Sequence, residues 1–340
     1  MSVMKKFLGF AALLVFVLGV SGMSVAAEQK VHVLRLTTVV NAPHPWHDAA
    51  NYLAKELDAR TNGAVQVKIF GSGQLGTDQA TFEEARMGTI DLIIGGATTL
   101  VNFIPELGIL NLPYFYSDID QFRKVMSPRS PVVNRFREIY EEKQFGVRLL
   151  TLGGGGTRVF SNNLKVIIRP DDLKGMKMRV PNNPEDAKIW SSIGALVTAM
   201  PWNEIYSALQ AGVVNAFEST ISSYYGSKFY EVAKNMSNTQ HIIMVSHLLI
   251  SESTWQKLPE EYRKILDELS DEVSRIFTDN GEEADKQLIQ ELQEKYGVTV
   301  SEVDKAAFVE SFQSLHDELA EKGNNQALLQ LLRDTKAAAK

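Results

Sequence analysis

Cysteine is absent from all 340 residues. No disulfide can form, and there is no thiol to acylate, so a lipoprotein anchor is excluded. An exported chain of this kind has to rely on its core. Its length suffices for that, and two domains are expected, because single cores rarely grow past roughly 250–300 residues. Cations are also in deficit, with 35 Lys and Arg against 41 Asp and Glu and a formal charge of −6. Nucleic acid needs a basic face and is excluded as a partner. A small anion is not excluded, since a few local groups can hold one. Beyond residue 20 no apolar run is long enough to span a bilayer.

Catalytic patterns are missing as well. No serine lies in Gly-x-Ser-x-Gly, and the six histidines are scattered. The glycine run Gly153 to Gly156 is followed by Thr157-Arg158, where a phosphate loop requires Gly-Lys-Ser/Thr. A hinge or a close backbone crossing explains it better. His44 and His47 stand three apart with Pro45 between them, and no further ligand completes a metal set. They read as a loop and a helix start, so neither metal nor cofactor is expected. Asp171-Asp172 follows Pro170 and reads as the cap of a short turn.

What is present begins at the N-terminus. Lys5 and Lys6 precede the apolar run Phe7 to Val20, and Val25-Ala26-Ala27 offers small residues to a signal peptidase. This pattern predicts export to the periplasm, with cleavage after Ala27. Further on, Val31 to Thr38 and Val65 to Phe70 read as strands, His47 to Arg60 and Thr77 to Met87 as helices, and Asp91 to Ile94 as a buried strand. Strands and helices alternating in this way indicate a parallel α/β sheet. The pattern restarts with strands at Phe145 to Leu152 and Lys177 to Val180. Helices at Pro184 to Ile193 and Trp202 to Ala211 follow, then a strand at Val213 to Phe217. Pro259 to Tyr296 is one long helical run stopped by Gly297, and further helices start near Asp304 and Asn325.

Two arginines stand out in this frame. Arg158 follows the glycine run at a strand end, and Arg179 closes the strand Met176 to Val180 just before Pro181. Ligands of open α/β sheets bind beyond the carboxyl ends of strands, where a guanidinium can clamp a carboxylate through two parallel hydrogen bonds.

The stretches QLGTDQATFEEARMGTIDL, LPYFY, GTRVFSNN, RPDDLKGMKMRVPNNP, MPWNEIYSALQAGVVNAFES and KFYEVAKN, in this order, resemble the solute-binding proteins of tripartite ATP-independent periplasmic (TRAP) transporters. The resemblance covers essentially the whole chain after the signal. It implies an α/β fold, a two-lobed periplasmic binding-protein clamp with a hinge and a long helix spanning both lobes. One lobe would comprise 28–156 plus about 241–275 and the other 157–240 plus about 276–330, with 331–340 a frayed tail. Arg179 matches the arginine that salt-bridges the ligand carboxylate, and Arg158 matches an assisting one. Trp202 falls where an aromatic packs on the ligand. Asp78 and, more weakly, Asn182 fall where polar groups can meet it. The implied partners are a small carboxylate and the integral membrane subunits of the transporter.

One segment departs from the family pattern. Many sugar-acid binders carry Asp-Gly-x-Glu-Asn where this chain has Asn215-Ala216-Phe217-Glu218-Ser219. Ser219 replaces the ligand-gripping asparagine, and Phe217, Tyr224 and Tyr225 add aromatic surface. Unmet hydrogen bonds are costly, so these changes favour a less hydroxylated ligand, an aromatic or branched 2-oxo or 2-hydroxy acid. The alternatives are a sugar-acid binder of the same family, an exported ligand-sensing module, or an exported α/β hydrolase.

Overall fold

The computed structural model describes residues 30–339. The expected signal peptide lies outside them. The chain begins with β1 (His32–Thr37), α1 (Pro45–Arg60), β2 (Val65–Phe70), α2 (Asp78–Arg86) and β3 (Leu92–Gly96). Two helices follow, α3 (Ile119–Val125) and α4 (Pro131–Lys143), and then the long β4 (Val147–Asn162). A second alternating stretch holds β5 (Lys177–Val180), α5 (Pro184–Ser192), β6 (Leu196–Ala199), α6 (Ile205–Gln210), β7 (Ala216–Thr220) and α7 (Ile221–Gly226). The remainder comprises β8 (Asn235–Ser251), α8 (Glu252–Lys257), α9 (Glu260–Tyr296), β9 (Thr299–Ser301), α10 (Lys305–Gln313), α11 (Leu315–Lys322) and α12 (Gln326–Ala338).

Local chemistry sets many of the helix boundaries. His44 caps α1 by accepting the Trp46 N–H, and Pro45 occupies the first turn, where its missing donor costs nothing. Thr77 caps α2 and Asn183 caps α5. Gly297 ends α9 in the left-handed region at φ 64°. Asp172 accepts the backbone N–H groups of Ile168 and Arg169, the turn-capping role its setting suggested.

Among the described residues, the strands form one nine-stranded sheet ordered β2-β1-β3-β8-β4-β7-β5-β6, with β9 added beside β8. Its centre is the antiparallel pair β4 and β8. At one end β1, β2 and β3 run parallel, and β3 joins the last residues of β8, from Leu92 opposite Ile250 to Gly96 opposite Ser246. At the other end β5, β6 and β7 run parallel, and β7 joins the last residues of β4, from Arg158 opposite Thr220 to Asn162 opposite Ala216. Each parallel set therefore holds a different half of the shared pair. The β4–β8 register slips between Gly154 and Thr157 and again between Arg158 and Phe160, where the two halves meet.

The glycine run lies inside β4 and is not a loop. It serves a close crossing with α9, whose buried Ser270, Ser274, Thr278 and Gly281 form a stripe of small residues. A Cβ on Gly153 would meet the Ser274 carbonyl at 2.7 Å, and one on Gly154 would meet Thr278 Oγ1 at 3.3 Å. Hydrogen bonds fasten the contact: Ser274 Oγ donates to the Leu152 carbonyl at 2.6 Å, and the Gly154 N–H donates to Thr278 Oγ1 at 2.9 Å. From this crossing α9 also packs against α1 near its start and α7 further along.

Several boundaries differ from the sequence reading. Arg158 sits within β4 instead of at its end, and β7 starts at Ala216, three residues later than expected. Where a tail was expected from residue 331, α12 continues to Ala338, packs against α3 and α4, and buries Leu332. Among the described residues no helix is long and apolar enough to cross a membrane.

Candidate functional site

Arg179 projects from β5 and is 3% exposed. Its Nε donates to the Met200 carbonyl at 3.0 Å, and its guanidinium carbon lies 5.8 Å from the centre of the Trp202 ring. Among the described residues no carboxylate forms an ion pair with it. Burial pulls its pKa down to about 10, against the pull of Glu218, so it stays charged at neutral pH. A buried cation held by one neutral acceptor is short of an anion.

Arg158, by contrast, is paired with a carboxylate. Its Nε and Nη2 grip the two carboxylate oxygens of Glu218 in a fork, and its Nη1 donates to Met244 Sδ at 3.1 Å. Glu218 is wholly buried and also lies 3.5 Å from His241 Nε2. Burial pushes the Glu218 carboxyl up, but Arg158 and His241 outweigh it and hold the group well below the usual range. Burial lowers the His241 pKa, leaving it neutral, and Thr239 Oγ1 meets its Nδ1 at 2.8 Å. Asp186 completes the cluster from α5. It accepts from Asn111 Nδ2 at 2.6 Å, and burial together with the Glu218 charge pushes it up to about 7.

Asp78, the first residue of α2, lies close enough to Arg179 to feel its charge. Burial pushes its carboxyl up to about 6, and the Arg179 charge offsets part of that rise. A Cβ on Gly95 would stand 3.4 Å from Asp78 Oδ1 and 3.1 Å from His247 Nε2, so a glycine at the end of β3 lets both side chains close in. His247 is buried, its pKa is pulled down to about 3, and its Nδ1 has no partner. The residues around Arg158 and Arg179 thus comprise two fixed cations, one fixed anion and two carboxyls that titrate near neutrality. With both of these carboxyls protonated, the set carries one uncompensated positive charge.

The remaining sequence candidates fall in different places. Trp202 is half-buried, with its face toward Arg179 and its ring in edge contact with Phe229 at 5.2 Å. Asn182 is exposed, and its carbonyl accepts from Asn102 Nδ2; the neighbouring Asn183 is the buried cap of α5. Phe217 is fully buried between Tyr224 and Phe229, at ring distances of 6.3 and 4.6 Å. Successive strand residues face opposite ways. Ser219 therefore shares the Phe217 face of β7 while Glu218 points to the arginines, and Ser219 Oγ donates to the Thr220 carbonyl at 3.1 Å. Tyr224 is likewise spent in the core, donating to the Ala233 carbonyl.

Sequence reasoning missed Asp186, His241 and Asn111, and assigned Glu218 no role. Asp186 stands where any helix start favours an acid, and His241 stands in an apolar run where a histidine is usually core. Only the pairing of β4 with β7 and β8 reveals what these residues face. His44 and His47 do not pair: His44 bonds Ser223 Oγ and His47 bonds the Val40 carbonyl.

The family model for bacterial extracellular solute-binding proteins, family 7, matches residues 36–323. The sialic acid-binding periplasmic protein SiaP of Vibrio cholerae is 30% identical over 272 residues, 80% of this chain and 83% of that protein. A TRAP periplasmic solute-binding protein from Bordetella bronchispeptica, solved with density assigned to pantoate, superposes with a TM-score of 0.83 at 26% identity, covering 89% of this chain and 99% of that one. Another from Sulfitobacter sp. NAS-14.1, solved with bound β-D-galacturonate, gives 0.82 at 26% identity, with the same coverage.

Proposed function

The chain belongs to the family 7 bacterial extracellular solute-binding proteins, and from that premise we propose that it captures a small hydroxylated carboxylate in the periplasm and delivers it to the membrane subunits of a TRAP transporter. The observation that carries this reading is Arg179, a buried guanidinium beside carboxyls yet paired with none. A ligand carboxylate supplies the missing charge, with Arg158 held beside it by Glu218. The site binds and releases its ligand without turnover. In this reading residues 1–27 are the export signal, and the lobes close about the register slips in β4 and β8.

For the ligand, we favour an aliphatic hydroxy acid over an aromatic one. The aromatic preference rested on Phe217, Tyr224 and Tyr225. The first two are buried in the core, and Tyr225 donates to Glu291 Oε1. Among the described residues, Trp202 alone presents a ring to Arg179. Pantoate, a branched hydroxy acid, and galacturonate, a sugar acid, bracket the class. Asp78 and Asp186 are the groups that would meet its hydroxyls. Ser219 and Phe217 would then support β7 from its other face, and Asn182 would lie at the rim.

The test is a thermal-shift screen of the protein without its signal peptide against pantoate, D-galacturonate, D-glucuronate, phenylpyruvate and 4-methyl-2-oxopentanoate, followed by calorimetry. A hydroxy acid is expected to stabilise most. Arg179→Ala is expected to fold and to bind about 2–5 kcal/mol more weakly, since a desolvated carboxylate is left unpaired. Near-native affinity in that variant would overturn the assignment. Tightest binding by phenylpyruvate would overturn the ligand class.

A further inference from the structure

Four connections leave the carboxyl ends of the parallel strands, two from each parallel set, and they meet in pairs. The stretch from Thr38 to His44 follows β1, and Thr98 and Asn102 follow β3. From the other set, Asn182 and Asn183 follow β5, and α7 follows β7. His44 Nε2 lies 2.9 Å from Ser223 Oγ of α7. Asn102 Nδ2 donates to the Asn182 carbonyl at 2.9 Å, and Asn183 Nδ2 donates to the Thr98 carbonyl at 3.2 Å. Ligands of such sheets sit beyond the carboxyl ends of the strands, so these bonds join the two walls of the site.

The contact at His44 is a close fit. His44 Nδ1 accepts the Trp46 N–H, so the neutral ring carries its proton on Nε2 and donates it to Ser223 Oγ. Burial, and to a lesser extent the neighbouring His47, pull the His44 pKa down to about 3, which keeps the ring neutral. Ser223 Oγ also accepts from Thr220 Oγ1 at 2.7 Å. Gly226 ends α7 beside this contact. A Cβ there would stand 2.8 Å from the Asn41 carbonyl oxygen and 3.1 Å from that of Pro43. Its φ is not positive, so the approach of the 41–43 backbone, and not a left-handed turn, is what excludes a side chain.

On the reading that the Arg179 site takes a carboxylate, we propose that these contacts form a latch, made when the two parallel sets close on the bound acid, which sets how fast the acid leaves. His44, Ser223 and Asn102 are positioning residues that act by holding the walls together. Arg179 is only 3% exposed with the latch made, so the acid passes only when it opens.

Two variants test this. Ser223→Ala combined with Asn102→Ala removes a bond from each side and leaves the side-chain caps of α1, α5 and α7 in place. Gly226→Ala keeps every bonding group and wedges the His44 contact apart. The probes are D-galacturonate and pantoate. Stopped-flow measurements on the protein without its signal peptide are expected to show release about tenfold faster or more in each variant, with a smaller change in association. Lower stability of the empty variants in urea with unchanged release would make these residues merely structural, and unchanged release in both variants would overturn the latch. If neither acid binds the native protein, the carboxylate reading fails, and small-angle scattering of the empty proteins then decides the latch. A larger radius of gyration in Gly226→Ala than in the native protein supports it, and equal radii overturn it.

Discussion

Gly281 of α9 lies so close to Gly156 of β4 that a methyl group built on Gly281 would sit 2.5 Å from the Gly156 nitrogen. The helix there touches the strand backbone to backbone, at the register slip shared by both halves of the sheet. Propensity alone makes Gly281→Ala favourable by about 1 kcal/mol in a helix interior. Packing opposes it, because overfilling such a contact costs typically about 1–3 kcal/mol. The expected net result is a loss of stability in urea unfolding, together with altered closure read as the change in radius of gyration on adding ligand. A variant more stable than the native protein would show that the crossing has slack.

How much of this was legible in the sequence depends on the range of the interaction. Strand β2 was read to the residue, and Gly297 and Asp304 marked helix ends correctly, because alternation and capping are local. The glycine run was legible as a close crossing but not as part of a strand, since a strand of four glycines makes sense only once α9 supplies its partner groups. Arg179 was visible from its strand-end position. Its lack of an ion pair was not, and neither was the fork between Arg158 and Glu218, which spans 60 residues. Phe217 shows the opposite limit. Sequence placed an aromatic near the arginines, but the pleat turns its ring into the core.

The fork between Arg158 and Glu218 gives a second prediction. Glu218 is fully enclosed, and the Arg158 side chain is 13% exposed. Breaking a buried pair by removing one partner costs about 3–5 kcal/mol, because the other charge is left uncompensated. Glu218→Gln is therefore expected to destabilise the empty protein by an amount in that range in chemical denaturation. Adding Arg158→Met is expected to recover part of the loss while leaving binding weak. If the double variant is no more stable than the single one, the cost lies in packing and not in the stranded cation.

Binding is expected to weaken as pH rises. The groups facing the Arg179 site are Arg158, Glu218, His241, Asp186, Asn111 and, on the α2 side, Asp78. Asp78 and Asp186 are pushed up to about 6 and about 7, mainly by burial. A bound carboxylate adds negative charge beside them and raises both further. Below pH 6 they are largely protonated with or without ligand, so affinity changes little. Above that, the empty protein releases protons that the complex retains, and affinity falls with pH. The same raised values mean that these groups stabilise the empty fold most below their unfolded value, near 3.9, and that this contribution is lost as pH rises through 6 to 7. Calorimetry from about pH 5.5 to 8 in buffers of different ionisation enthalpy is expected to show proton uptake on binding. Asp186→Asn, which keeps the acceptor for Asn111, should reduce that uptake. Proton release instead would reverse the sign of the argument.

Trp202 separates support of the anchor from support of the core. Its face lies 5.8 Å from the Arg179 guanidinium carbon, and its ring meets the wholly buried Phe229 edge-on. A fully buried tryptophan costs about 3–5 kcal/mol when truncated. Trp202 is only half-buried, so Trp202→Ala is expected to cost the empty protein less than that. Binding should fall too, for a reason that does not require the ligand to touch the ring. The indole face stabilises the cation by about 0.5–2 kcal/mol and limits where the guanidinium can swing. The loss is therefore expected across all carboxylates tested, large or small. Trp202→Phe keeps an aromatic face and should restore much of the affinity, whereas Trp202→Leu restores packing on Phe229 without restoring the face. Urea unfolding of the empty variants, paired with affinities for acids of graded size, separates the cases. A loss that grows with ligand size would place the indole against the ligand body instead of behind the arginine. Unchanged affinity with a large stability loss would make Trp202 purely a core residue.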